Sequence, residues 1–292
     1  MNSSTKNNVY QIVTDRIIAR LEQGEVPWIN TRTKPLLSAR SATTGKQYRG
    51  INAFLLSNSA YSTSAYWITY KTAAAMKGQV KKGSKSELCV FWKRLKFEDP
   101  DARPGEISSK TKEIPMMRYY NVFNLAQVEG IADPLLDAVD IPDPIAKADE
   151  VIAGFAGKPE VIFGSAGKAY YNPASDQVVM PQQSSFTSSA QFYRTYFHEL
   201  VHATGAKSRL ERFTGEGTVL DYGLEELVAE MGSAMLLAEC GIFEETFEKN
   251  ASYCQHWINA LGSDSKLIVR AAGKAQKAVD HILGRSYQEE DK

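Results

Sequence analysis

The sequence predicts an α+β protein in two parts: a mixed α/β N-terminal domain, then a mainly helical C-terminal domain with a small sheet. Three observations lead there. Short strand-like and helix-like pieces dominate before residue 130, and long helical runs dominate after it. Charge divides at the same place. Residues 1–130 carry 20 Lys and Arg against 10 Asp and Glu, whereas residues 131–292 carry 14 against 24. Between them, Asp133 to Pro144 holds three prolines and several aspartates, the composition of a linker. The expected boundaries are therefore 1–132, a linker at 133–144, and 145–292.

With 292 residues and 43 % hydrophobic side chains, the chain has enough apolar material for packed cores and is not a disordered polymer. No run of about 18 apolar residues exists, so no transmembrane helix and no membrane partner are expected. The polar start, Met1 to Asn8, lacks the apolar stretch of a secretory signal. Cys89, Cys240 and Cys254 are scattered and form no CxxC, which argues against a disulfide framework or a cysteine metal site. A reducing cytoplasm is the expected compartment.

Val9 to Glu22 places Ile12, Val13, Ile17, Ile18 and Leu21 at helical spacing, and Gly24 stops it. Tyr66 to Tyr70 reads as a strand, Thr72 to Lys77 as a short helix ended by Gly78, and Leu88 to Trp92 as a second strand. Glu98 to Glu113, with two prolines and a glycine, reads as a charged loop before a strand at Met116 to Leu125. After the linker come a helix at Ile145 to Phe155 and short strands at Glu160 to Phe163, Ala169 to Tyr171 and Gln177 to Met180. Helices then follow at 188–204, 224–239, 247–261 and 265–283.

The sharpest chemical signal is His198-Glu199-Leu200-Val201-His202 in the first of those last four helices. Residues four apart share a helix face, so both imidazoles can address one ion. Glu199 is then placed to take a proton from a water on that ion. A third ligand is still required. In the extended frame with a third histidine, Gly205 fits but position 208 is a serine, which excludes that arrangement. A carboxylate on the next helix is the other solution. Within Glu225-Glu226-Leu227-Val228-Ala229-Glu230, Glu226 is the chosen ligand and Glu230, one turn on, is expected to orient a ligand histidine. Glu225 and Glu230 remain alternatives as ligand. Two imidazoles and a carboxylate suit Zn2+, with another divalent ion as the alternative. The chemistry would be hydrolysis of a peptide or related amide, with Glu199 as general base and then proton donor. The strand at Gln177 to Met180 is the expected pairing edge for an extended peptide.

The basic half mixes cations with aromatics, as binders of single strands do. Lys46, Tyr48, Arg49, Trp67, Tyr70, Lys71, Lys81, Lys82 and Lys85 are the candidate contacts to single-stranded DNA. Lys77, Lys93, Arg94, Lys96, Tyr66, Phe91 and Trp92 extend the same mix. No zinc finger, RNP motif or Walker A sequence is present, so recognition would rest on backbone contacts and stacking rather than on a base code.

Ordered motifs then point to a known family. They are Gly24-x-x-Pro27-Trp28, Gly45-Lys-Gln-Tyr48-Arg49-Gly50-Ile51-Asn52, Trp67-Ile-Thr69-Tyr70-Lys71, Gly78-Gln-Val-x-Lys82-Gly83 and Tyr120-Asn121-Val122-Phe123-Asn124. This series resembles the N-terminal domain of ArdC-type antirestriction proteins, a domain shared with TraC-type plasmid primases. The second half carries Ala169-Tyr-Tyr171, Met180-Pro181, Phe186, the His198–Gly205 segment, Ser208-Arg209-Leu210 and Tyr222 through Glu230. It resembles the zincin-like metallopeptidase domain that accompanies the first. One departure is Ala206, where many relatives carry a histidine. The resemblance implies a conjugative-plasmid protein that binds single-stranded DNA and protects incoming DNA from host restriction. It also implies a protease-like domain with an unidentified protein target. Primase activity is not expected. Two alternatives stay open: a cytoplasmic zinc metallopeptidase whose basic half recruits a protein partner, and a DNA-binding protein whose metal is structural.

Overall fold

The structure is a computed structural model that describes residues 8–29, 38–57, 59, 61, 63–98, 111–134, 143–164, 167–213, 219–243 and 251–286, without the side chains of 95–98, 111–114 and 219–221. The polar tail before Asn8, the body of the expected charged loop (99–110), most of the expected linker (135–142) and the start of the helix expected from Phe247 lie outside the described residues.

Helix α1 spans Val9–Glu22, as the apolar spacing predicts. Asn8 caps it by accepting from the Tyr10 amide, and Val13, Ile17 and Leu21 form the buried stripe. Gly24 leaves it at φ 72°, a left-handed conformation that glycine reaches without steric cost. A four-stranded sheet follows, ordered β1-β2-β5-β4, from β1 (Arg40–Ser41), β2 (Tyr66–Ile68), β4 (Glu87–Glu98) and β5 (Thr111–Asn124). Helix α2 (Gly50–Ser57) packs on β4. Helix α3 (Tyr70–Ala75) precedes a small ribbon of β3 (Gln79–Val80) and β6 (Val128–Glu129).

Two boundaries in this region differ from expectation. Tyr70 belongs to a helix rather than a strand, because the Thr69 side chain accepts from the Thr72 amide at 3.1 Å and starts α3 there. The expected charged loop is shorter. β4 runs to Glu98 and β5 begins at Thr111, since the paired backbones satisfy one another along twelve residue pairs.

The C-terminal part begins with α4 (Pro144–Gly154), with Pro144 in its first turn and Asp143 as cap. Its sheet is ordered β7-β9-β8, from β7 (Glu160–Gly164), β8 (Tyr170–Asn172) and β9 (Gln177–Pro181). The strand expected to offer a free edge, Gln177 to Met180, is therefore central, flanked on both sides, and the edges are β7 and β8. Four helices complete the fold: α5 (Ser189–Ala203), α6 (Val219–Cys240), α7 (Ala251–Ser263) and α8 (Leu267–Ile282).

A continuous hydrophobic cluster joins the two parts. It includes Val13, Ile17 and Trp28 from the N-terminal segment, and Phe197, Leu227, Trp257 and Ile268 from the C-terminal one. α1 packs on α7, and α2 packs on α8. The alanines Ala271, Ala272, Ala275 and Ala278 line the buried face of α8 and let its neighbours approach closely. Polar ties cross the same seam. The Trp28 indole donates to Tyr253 Oη at 2.8 Å, the Gly50 amide donates to Gln276 Oε1 at 2.9 Å, and Arg49 pairs with Asp280. No helix among the described residues is long and apolar enough to cross a membrane. All three cysteines are buried thiols.

Candidate metal centre

Helix α5 carries the histidine pair. Ser188 caps it, its side chain accepting from the Gln191 amide at 3.1 Å, and Phe192, Tyr193, Phe197, Leu200 and Val201 anchor its buried face. One turn apart on that helix, His198 Nε2 and His202 Nε2 converge to 3.1 Å. Glu226 on α6 completes a triangle, with Oε2 3.6 Å from His198 Nε2 and Oε1 3.5 Å from His202 Nε2. These three residues form the group of potential ligand atoms found among the described residues, all within 4.8 Å of one another.

The spacing has a simple chemical test. Ligands about 2.0–2.1 Å from a tetrahedral zinc ion lie about 3.3–3.4 Å from each other. The imidazole nitrogens are 3.1 Å apart, and the nearer Glu226 oxygen is 3.6 Å (Oε2) from one and 3.5 Å (Oε1) from the other, close to that value, so two imidazoles and the Glu226 carboxylate fit a divalent cation.

Close approach of α5 and α6 makes the triangle. Gly232 on α6 faces Val201 so tightly that a Cβ there would sit 2.8 Å from Val201 Cγ2. Beside it, the Ser233 hydroxyl donates to the Arg194 carbonyl at 2.7 Å. Gly205, just past the histidines, is held in the same way, since a Cβ would lie 2.6 Å from the Phe213 ring.

Around the triangle, partners fix each donor. Glu225 Oε1 lies 3.3 Å from His202 Nδ1, a contact that selects which ring nitrogen faces the cation. Arg212 grips Glu225 with two bonds, Nη2 to Oε1 at 2.7 Å and Nε to Oε2 at 2.9 Å. Arg212 also donates to Thr204 Oγ1 and the Val201 carbonyl, both at 2.7 Å, so it is itself pinned to the end of α5. Glu230, expected to orient a histidine, instead accepts from Arg194 at 3.0 Å and Tyr253 at 2.9 Å. At His202 the orienting contact belongs to Glu225, because consecutive residues on α6 point in different directions and Glu225 is the one aimed at Nδ1.

Electrostatics agree with the geometry. Burial alone would lower the His198 pKa, but the carboxylates of Glu226, Glu230 and Glu199 outweigh it and the net shift is upward. Burial would raise Glu226, yet the two histidines and the Tyr222 hydroxyl hold it below the ordinary range. Glu225 is likewise lowered, with the Arg212 bonds overcoming burial. Glu199 is 7 % exposed and burial pushes its pKa up, although the Tyr171 amide on β8 donates to its carboxylate. Tyr222, an exposed residue one turn before Glu226, hydrogen-bonds to it. Sequence reasoning did not find Arg212 or Gly232, and it met Tyr171 and Tyr222 only inside the family-like segments Ala169–Tyr171 and Tyr222–Glu230, with no role attached. His256 and His281 lie outside the triangle, packed edge-on against Trp257 and Phe155.

The structure separates the expected DNA contacts. Lys46, Tyr70, Lys71, Lys81, Lys82 and Lys85 are exposed. Tyr48 is half-buried beside Tyr120. Two candidates are corrected. Trp67 is 1 % exposed and packs with Leu56, Cys89 and Val122, so it has no face to offer a base. Arg49 is engaged by Asp280 of α8 and ties the two parts together.

Comparison with known proteins agrees with both halves. Residues 7–123 match the family described as the N-terminal domain of anti-restriction factor ArdC. Residues 147–274 match the family described as zincin-like metallopeptidase. The protein y4eC of Sinorhizobium fredii is 33 % identical, over 94 % of this chain and 92 % of its own. A DNA primase TraC of Escherichia coli is 31 % identical over 97 % of this chain, which spans only 20 % of the primase. The crystal structure of the antirestriction protein ArdC from plasmid R388 superposes in its metal-free form with a TM-score of 0.73 at 37 % identity, covering 94 % of this chain and 96 % of that one. Its Mn(II)-bound form gives 0.73 at 36 % identity, over 95 % and 97 %. A divalent metal therefore belongs in the comparison as well as in the geometry, and the chain belongs to the ArdC antirestriction family.

Proposed function

We propose that this protein binds single-stranded DNA through its basic N-terminal part and protects DNA entering by conjugation from host restriction. Its C-terminal part would serve as a zinc-dependent metallopeptidase, acting in the cytoplasm. The observation that carries the second half of this reading is the triangle of His198, His202 and Glu226 beside the buried carboxyl of Glu199. Zinc bound there would supply Lewis acidity and acidify a water.

The chain's own residues do the rest. Glu199 takes a proton on its carboxylate and returns it to the leaving amine. β8 is the edge strand beside α5, the place where an extended peptide would pair main chain to main chain. Kinship with the R388 antirestriction protein and the excess of cations before residue 130 support the DNA half.

Two experiments test the reading. Labelled single-stranded oligonucleotides titrated at several salt concentrations should bind more weakly as salt rises. No binding at low salt contradicts the DNA assignment. Glu199→Gln should keep its metal and lose hydrolysis of a casein-type substrate. An unchanged rate removes Glu199 from the chemistry. Protection measured with the same variant then divides the routes: full protection assigns it to coverage of the DNA, and lost protection assigns it to cleavage.

A further inference from the structure

The long β4–β5 hairpin has two unlike faces. Residues directly opposite in an antiparallel pair point to the same side, so Cys89 and Tyr120, Phe91 and Arg118, and Lys93 and Met116 share one face. At its base this face is closed, where Trp67, Cys89 and Val122 lie beneath Leu56 and Ala39. Beyond Tyr120 it opens. Phe91 is 42 % exposed, and Lys93 and Arg118 are exposed beside it. The Tyr120 ring stands 5.8 Å from the Phe91 ring and props it from the buried side. On the opposite face Val90 and Met117 enter the main core, while Tyr119 and Trp92 are exposed at 48 % and 54 %, Trp92 with its ring edge-on to Tyr10 of α1 at 6.2 Å rather than beside a cation pair like that of Lys93 and Arg118.

An exposed phenyl ring flanked by two cations is an unusual surface. Among the described residues, neither Lys93 nor Arg118 pairs with a carboxylate. Single-stranded nucleic acid presents what this surface lacks, a flat apolar base between two phosphates. Stacking on an aromatic ring with cations at the backbone is how proteins hold it without reading sequence. The Tyr70–Phe123 pair, 6.4 Å apart, contributes its Phe123 to the other side of β5, so it is a separate patch.

We propose that the open face of this hairpin is the single-strand platform, with Phe91 stacking on a base and Arg118 and Lys93 holding the flanking phosphates. The assignment rests on the DNA-binding reading above and names its site. It moves the stacking role from Trp67, which is core, to a residue whose ring is supported and open.

The test is fluorescence anisotropy of labelled oligothymidine against the full-length protein at several salt concentrations. Phe91→Ala should weaken binding about 5- to 100-fold with the salt slope unchanged, and Phe91→Trp should restore it. Arg118→Gln should reduce the slope of log K against log salt by about 0.7, the share of one phosphate contact. Both sites are exposed, so an unchanged thermal midpoint is expected and guards against misfolding as the cause. If the wild type binds and Phe91→Ala and Arg118→Gln bind equally well, the platform is wrong while the DNA reading stands. If the wild type does not bind even at low salt, the DNA reading itself fails. If polyglutamate displaces the oligonucleotide at equal charge concentration, the face is a general anion surface and the stacking assignment is overturned.

Discussion

Adding one methyl group at Gly232 should open the metal site. A Cβ at this position would lie 2.8 Å from Val201 Cγ2 and 3.0 Å from Cγ1. Carbon atoms in contact settle at about 3.5–4.0 Å, so about 0.7 Å must be found. Val201 has no exposed surface (0 %), and a β-branched side chain on a helix has one strongly preferred rotamer. The movement therefore falls on the axes of α5 and α6. Overpacking of this kind costs about 1–3 kcal/mol, and replacing glycine by alanine within a helix returns about 1 kcal/mol. The net destabilisation should be about 0–2 kcal/mol, which leaves the protein folded.

The consequence for the metal is larger. Glu226 stands 3.5 and 3.6 Å from the two imidazole nitrogens. Retreat by the same amount would put it at about 4.2 Å, well beyond the spacing of about 3.3–3.4 Å that a tetrahedral ion asks of its ligands. Metal affinity should fall about 10- to 100-fold, the range seen when the support of a ligand is disturbed. Competition of the protein with a fluorescent chelator reads this directly, with thermal unfolding of the metal-free protein as control. Adding Val201→Ala should recover much of the affinity, because it removes the atoms the new methyl meets. If the two changes simply add, with no recovery, contact at Val201 is not what sets the ligand spacing.

Three further predictions concern neighbouring groups. Arg212→Ala should lower metal affinity about 10- to 100-fold without removing a ligand, because Glu225 loses the grip that aims it at His202 Nδ1; chelator competition that matches wild type would refute this. Metal binding should weaken as pH falls, beginning above the usual imidazole range. The His198 proton is held more firmly than normal in the metal-free protein and must leave before the cation binds, so each displaced proton costs about tenfold per pH unit, checked by calorimetry in buffers of different ionisation enthalpy. Trp67→Phe should lower the thermal midpoint while leaving oligonucleotide affinity unchanged below that midpoint, since the indole is core; a selective loss of DNA binding would return Trp67 to the interface.

Much of this organisation is legible in the sequence because it is written in local periodicity. The α1 boundaries follow from five apolar residues at helical spacing, and the histidine pair follows from a four-residue step on a helix. The sequence chose Glu226 as ligand but left Glu225 and Glu230 as alternatives, because the packing of α6 on α5 involves Gly232 and Ser233, which carry no chemical signature of their own. The exchange of roles between Glu225 and Glu230 has the same origin, because Arg212 and Arg194 arrive from different places in the chain and each claims one of the acids. Composition failed in an instructive way at the basic half. It counts Trp67 and Phe91 alike as aromatics among lysines, but cross-strand pairing decides that one lies under Leu56 and the other beside Arg118. The long extent of the hairpin was hidden for a related reason. Pairing between backbones tolerates polar residues that local propensity assigns to a loop.

The most direct test of the central claim is the stoichiometry of zinc and manganese bound by wild type, Glu226→Ala, Glu225→Ala and Glu230→Gln, read by elemental analysis after dialysis. One equivalent in the wild type, none in Glu226→Ala, a weakened equivalent in Glu225→Ala and a full one in Glu230→Gln would match the triangle of His198, His202 and Glu226. A Glu226→Ala protein that keeps its metal with wild-type affinity would contradict it.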